Sequence, residues 1–190
     1  MPFELISEHL DGIKVIKTVE FKDERGSFIE QYRKDMFSGI GIHADFVQEN
    51  HSISKKGVLR GLHFQWDPPM GKLMRVISGN AFLAAVDIRK GSPTLGKWFG
   101  LEVSSESRIQ VWAPPGFARG FCALSDSVEI QYLCSGTYNN KGESGIRWND
   151  PDIKINWPVK DPIISEKDNK AQNLSEWLNN KYSENFIYKR

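Results

Sequence analysis

The stretch Gly57-Val58-Leu59-Arg60-Gly61-Leu62-His63-Phe64-Gln65, followed by Gly71-Lys72, sets a histidine, two fixed cations and several glycines in one short run. Leu59, Leu62 and Phe64 surround these polar groups with apolar side chains, which suits a strand better than a solvated loop. Successive side chains on a strand point to opposite faces, so His63 faces away from Leu62 and Phe64. A lone histidine in such a setting is ordinarily a core residue satisfied by one backbone carbonyl. Arg60 and Lys72 change that reading, because burying cations without a purpose is costly. The stretch predicts a β-fold with a polar site on its inner face.

Working outward, Ile13–Glu20 is β-leaning, and Lys22-Asp23-Glu24-Arg25-Gly26 reads as a turn. Ser27–Tyr32 and Phe46–Ser52 are short strand candidates. Leu73–Ser78, Ala81–Ile88, Trp98–Val103, Ile109–Ala113, Phe121–Leu124 and Val128–Cys134 continue the series. Turn signals separate them, among them Ser78-Gly79-Asn80, Lys90-Gly91-Ser92-Pro93, Pro114-Pro115-Gly116 and Ser125-Asp126-Ser127. Short strands at this spacing predict an all-β sandwich or barrel. Only the end reads as helical. Ser165-x-x-Asp168 resembles a capping box, and Leu174, Trp177 and Leu178 form an i, i+3, i+4 apolar stripe. Trp148–Pro162, with Pro151, Pro158 and Pro162, is expected to lie irregularly over the sheet.

The 190 residues fit one domain, with a core over about 13–160 and a C-terminal helical segment over about 165–180. Hydrophobic residues at 39% and charged residues at 26% are ordinary for a soluble globular chain. A net charge of +1 offers no broad field for nucleic acid or anionic membrane. No apolar run approaches the roughly 18–20 residues that cross a bilayer. The N-terminus lacks the features of a signal peptide, and Cys122 and Cys134 read as reduced core residues. The expected compartment is the cytoplasm.

The opening stretch resembles the cupin β-barrels, whose first motif runs G-x5-H-x-H-x3–4-E-x6-G and whose second contains P-x-G-x2-H. Gly57 precedes His63 at that spacing, with Gln65 and Lys72 near the next two ligand positions and Gly79 closing the motif. Pro114-Pro115-Gly116-Phe117-Ala118-Arg119 matches the second motif with arginine in place of histidine. A divalent transition metal wants several imidazoles or carboxylates, and one histidine beside a lysine and an arginine would repel it. The expectation is a cupin-type jelly roll without a metal, whose cations face an anion or an anionic intermediate.

Gln48, Asn50, Arg60, His63, Tyr132 and Tyr138 lie on or beside strands. Tyr132 could be a core tyrosine with a bonded hydroxyl, and Tyr138 a surface turn residue or a stacking platform. Arg25 and Arg60 alone would read as a solvated turn arginine and a strand-edge arginine. Glu30, Glu143 and Lys167 alone would read as surface residues.

A closer resemblance is carried by Phe21–Glu30, Phe46–Ser52, Leu59–Gln65, Gly116–Phe121, Glu143–Pro151 and Ser165–Asp168. In order, from about Phe21 to Asp168, these segments are similar to the dTDP-4-dehydrorhamnose 3,5-epimerases. The resemblance implies that His63 abstracts protons next to the sugar's C4 ketone, and a near-neutral base suits that task. It implies that Asp168 orients His63, that Lys72 stabilises the enolate and that Tyr132 returns a proton to the opposite face. One such cation could supply about 3–4 kcal/mol, by analogy with an oxyanion donor. It further implies that Arg25 and Arg60 hold the diphosphate, as bidentate guanidinium forks do. Glu30, Gln48, Asn50, Glu143 and Lys167 would make further nucleotide-sugar contacts, and Tyr138 would stack on the thymine. No cofactor and a homodimer with exchanged strands are also implied.

The family usually reads Gly-Phe-Ala-His-Gly-Phe where this chain carries Arg119. Arg119 should lie near the sugar or the phosphates. Single-centre epimerisation of a related 4-keto sugar, and a cupin that binds a nucleotide sugar without turnover, are the nearest alternatives, with a metal-dependent cupin oxygenase further off.

Overall fold

Short runs rich in apolar and β-branched residues form strands, and the computed structural model, which describes residues 2–189, pairs most of them into two facing sheets. The strands are β1 (Phe3–His9), β2 (Ile13–Thr18), β3 (Glu20–Asp23), β4 (Gly26–Ile29), β5 (Gln48–Lys55), β6 (Leu59–Gln65) and β7 (Lys72–Ser78). They continue with β8 (Asn80–Asp87), β9 (Trp98–Ser104), β10 (Ile109–Ala113), β11 (Phe117–Ala123), β12 (Ser127–Cys134) and β13 (Glu143–Gly145). One sheet runs β1-β2-β10-β7-β12-β5 and the other β13-β6-β11-β8-β9, with antiparallel neighbours throughout. β3 and β4 form a separate hairpin with its turn at Glu24-Arg25. The architecture is the all-β jelly roll of the cupin type.

Three apolar layers hold it together. Between the sheets, Ile13, Met74, Val76, Val111, Val128 and Ile130 meet Leu83, Ala85, Val103, Phe117 and Phe121. Outside the five-stranded sheet, Leu62, Phe64, Val86 and Cys122 pack against Ile153, Trp157, Leu174 and Trp177. β11 lies between these two layers, and every one of its residues is buried. The irregular stretch around Trp157 covers the sheet as the sequence suggests. A third layer packs Phe37 and Ile42 over Ile16, Leu73 and Trp112 on the outer face of the six-stranded sheet.

The C-terminal helical segment is broken in two: α2 (Glu166–Asn169) and α3 (Leu174–Asn179), with α1 (Lys34–Gly39) lying earlier in the chain. The stripe holds at Leu174 and Trp177, which are buried, while Leu178 is only partly covered. Burying the Trp177 indole contributes on the order of 2–3 kcal/mol. The Asn173 amide donates to Glu176 Oε2 at 2.7 Å, which starts α3. β1, β13 and α1 extend the fold beyond the strands expected. β11 also starts earlier than expected, at Phe117, so Arg119 stands inside the strand.

Candidate active site

β6 carries the central histidine on the five-stranded sheet. Leu59, Leu62 and Phe64 anchor the strand in the apolar layers, and His63 turns its partly exposed ring to the space between the sheets. Gly61 stands against Gly120 of β11, where a Cβ would come within 2.6 Å of the Gly120 Cα. Gly61 also has φ +132°, a conformation that L side chains rarely adopt. This close approach leaves the Gly61 amide free to donate to Asp168 Oδ2 at 3.2 Å. Asp168 Oδ1 lies 2.5 Å from His63 Nε2. Asp168 reaches this position from α2, whose first turn is capped by Ser165 Oγ accepting from the Asp168 amide at 3.1 Å. Burial pushes the Asp168 carboxyl up, but the bonds from His63, Gly61 and Ser165 outweigh it and hold it below its ordinary value. Asp168 is therefore an anion that fixes one ring nitrogen of His63 and leaves the other for chemistry.

The facing wall comes from the six-stranded sheet. Lys72 opens β7 and Tyr132 lies on β12, with the Lys72 ammonium 5.0 Å from the centre of the Tyr132 ring. Burial, then the neighbouring charge of Arg119, lowers Lys72 to about 8. Burial raises the Tyr132 phenol above its ordinary value, against a hydrogen bond from Asn50, so it remains a proton donor at neutral pH. Arg119 is buried opposite His63 in the β6–β11 register. Arg60, His63, Lys72, Arg119 and Tyr132, with Ser52, line a cavity of about 150 Å³. A proton acceptor on one wall and a proton donor on the other can work on opposite faces of one small molecule.

The mouth is a chain of polar contacts. Gln48 Nε2 donates to Asn50 Oδ1 at 3.0 Å, and Asn50 Nδ2 donates to Cys134 Sγ at 3.8 Å. The Tyr138 amide donates to Gln48 Oε1 at 2.8 Å, and its hydroxyl donates to Glu143 Oε1 at 3.1 Å. Lys167 forms an ion pair with the same Glu143 oxygen. Tyr138 is 60% exposed, with its ring open to solvent at this rim. Arg60 is exposed at the cavity edge, where Nε donates to Ser54 Oγ at 3.1 Å and Nη2 to the Ile53 carbonyl at 3.3 Å.

Two expected site residues stand apart. Arg25 sits at the tip of the β3–β4 hairpin, paired with Asp23 at 2.6 Å, and its side chain is 85% exposed. Glu30 lies 3.6 Å from Arg33 at the base of the same hairpin. Neither lines the cavity of its own chain. Gln65, at a cupin ligand position, is spent on loops: Nε2 donates to the Pro68 and Thr137 carbonyls, both at 2.9 Å, and Oε1 accepts from the Asn139 amide at 2.9 Å. Among the described residues, no three His, Cys, Asp or Glu side chains gather where they could share a metal ion. Ser52 lines the cavity without having been singled out from the sequence. The signal was its place two residues beyond Asn50 on β5, and hence on the same face.

The family model for dTDP-4-dehydrorhamnose 3,5-epimerase matches residues 7–176. The dTDP-4-dehydrorhamnose 3,5-epimerase of Methanothermobacter thermautotrophicus is 48% identical over 177 residues, covering 92% of this chain and 96% of its own. That of Shigella flexneri is 46% identical over 170 residues, covering 88% and 94%. Among solved structures, the dTDP-6-deoxy-D-glucose-3,5-epimerase of Legionella pneumophila, in complex with dTDP-4-keto-L-rhamnose, superposes with a TM-score of 0.91 at 39% identity over 99% of both chains. This chain belongs to the dTDP-4-dehydrorhamnose 3,5-epimerase family.

Proposed function

We propose that this protein inverts C3 and C5 of dTDP-4-keto-6-deoxyglucose, giving dTDP-4-keto-L-rhamnose, with His63 as the base. The observation that carries the reading is the His63–Asp168 pair on one wall of the cavity, facing Lys72 and Tyr132 on the other. A C–H bond beside a ketone is acidic because its electron pair can pass onto the carbonyl oxygen. His63 takes the proton through the nitrogen that Asp168 leaves free, and the electrons move into a new C–C double bond and onto O4. The Lys72 ammonium meets that oxygen, and a preorganised cation in a partly dry site stabilises it more than water could. The Tyr132 hydroxyl then protonates the same carbon from the opposite face, restoring the ketone and inverting the centre. His63 and Tyr132 recover their starting protonation through exchange with water, and a second round treats the other carbon. The cycle balances by proton transfer alone, so the reading is of an isomerase that needs no metal or other cofactor.

At the mouth, Arg60 holds the diphosphate, Gln48, Asn50, Glu143 and Lys167 contact the nucleotide sugar, and Tyr138 stacks on the thymine. Arg25 and Glu30 belong to this reading only if a second copy receives the β3–β4 hairpin. The exposed Phe21 (53%) and Phe28 (69%) on that hairpin support a homodimer with exchanged strands. Among the described residues, no helix is long and apolar enough to cross a membrane. A cytoplasmic setting fits two buried cysteines that remain thiols.

Incubation with dTDP-4-keto-6-deoxyglucose in heavy water tests the reading. Deuterium at C3 and C5 of a product with both centres inverted is expected. Deuterium at one carbon would make the protein a single-centre epimerase, and none at either would remove the activity on this substrate.

A further inference from the structure

Arg119 crosses the barrel from the five-stranded sheet to the six-stranded one. Its Nη1 donates to the Ala113 carbonyl at 3.1 Å and its Nη2 to the Met70 carbonyl at 3.0 Å. Ala113 pairs with Lys72 across β10 and β7, so the guanidinium is seated at the level of the Lys72 backbone. Its Nε is buried without a hydrogen-bond partner, and among the described residues no carboxylate forms an ion pair with it. A buried cation held only by neutral carbonyls, beside the half-buried Lys72 ammonium, is an unfavourable arrangement by itself. It becomes favourable when negative charge arrives.

Two negative charges could arrive, and their places differ. A diphosphate is charged throughout and strongly hydrated, and the exposed Arg60 guards the cavity edge where such a group would enter. Arg119 is only 4% exposed and lies on the inner face beside Lys72 and His63. At that depth the substrate is a neutral sugar until a proton leaves it. We propose that Arg119 is a second oxyanion donor, meeting with Lys72 the charge that forms on the C4 oxygen when His63 removes a proton. The electron pair of the broken C–H bond comes to rest on that oxygen and returns to carbon when Tyr132 delivers its proton. Arg119 itself gains and loses no proton. Where the family's usual histidine could be neutral, this chain keeps a fixed charge. The inference rests on the functional reading above.

An interaction realised only in the transition state is read in kcat, and one shared with the ground state is read in substrate affinity. Arg119→Gln removes the charge, and Arg119→Lys keeps a cation while giving up the forked grip on Met70 and Ala113. Arg119→Gln is expected to lower kcat for epimerisation by about 10²-fold, with the Kd for dTDP within about threefold of the parent. Arg119→Lys should recover most of that loss. A Kd for dTDP raised tenfold or more at unchanged kcat would make Arg119 a diphosphate ligand and overturn the inference. So would Arg119→Lys being as impaired as Arg119→Gln, which would mark a structural tether. Should Arg119→Gln fail to fold by thermal melting, Arg119→His, the residue usual in the family, is read in the same way at a pH where imidazole is neutral. Unmodified protein that exchanges no deuterium overturns the functional reading and this inference together. Exchange by the unmodified protein with Arg119→Gln equally active overturns this inference alone.

Discussion

The inner cavity and the β3–β4 hairpin carry residues of the same expected site, yet they are built in opposite ways. In the cavity, His63, Lys72, Arg119 and Tyr132 come from four strands of two sheets, and Asp168 is brought in from a helix. Their backbones lie in packed layers, so side-chain geometry is set by the core. On the hairpin and at its base, Arg25 and Glu30 pair with near neighbours in sequence, Arg25 facing solvent and Glu30 half-buried. The difference divides the labour. In the proposed reading, the groups for proton transfer come from one chain, while Arg25 and Glu30 would join the nucleotide site only of a second copy.

Substitutions in the cavity should therefore strike kcat, and those on the hairpin should strike KM. Lys72→Met should lower kcat by about 10²–10³-fold in a steady-state epimerisation assay, since it removes an oxyanion donor. An effect on KM alone would move Lys72 out of the chemistry. Tyr132→Phe should lower inversion by about 10²-fold while deuterium still enters from solvent. In that variant His63 removes a proton and returns a deuteron to the same face, which proton NMR of the recovered substrate would reveal. Loss of exchange and inversion together would assign Tyr132 to an earlier step. Arg25→Ala should raise KM by about tenfold at nearly constant kcat, as loss of a charge-assisted contact in the ground state does. Unchanged KM in a protein shown by sedimentation to be dimeric would separate the hairpin from the site. The mildest effect is pH. Lys72 is charged below its value of about 8 and neutral above it, so kcat/KM should fall as pH rises through that value. A profile flat to pH 10 would show that the charge on Lys72 is not needed.

The comparison also bears on what the sequence could reveal. His63 and Lys72 stood out in the sequence because their spacing after Gly57 follows the first cupin motif, whereas Tyr132 was marked only by the family resemblance. The pairing of His63 with Asp168 was reachable only through family resemblance, since no local rule links residues so far apart. β1 escaped notice because Ile6 is exposed while Leu5 is partly covered, which blurs the alternation on an edge strand. α1 is six residues long with no side-chain cap, too short for a helical period to show. Arg119 was visible as a departure, but its reach to Met70 and Ala113 depends on how the two sheets face each other.

The central claim is that His63 is the base for both centres. In heavy water with dTDP-4-keto-6-deoxyglucose, His63→Asn should leave dTDP binding within a few-fold of the parent and admit no deuterium at C3 or C5 over many parental turnover times. Deuterium entering either carbon at the parental rate in this variant would contradict the account.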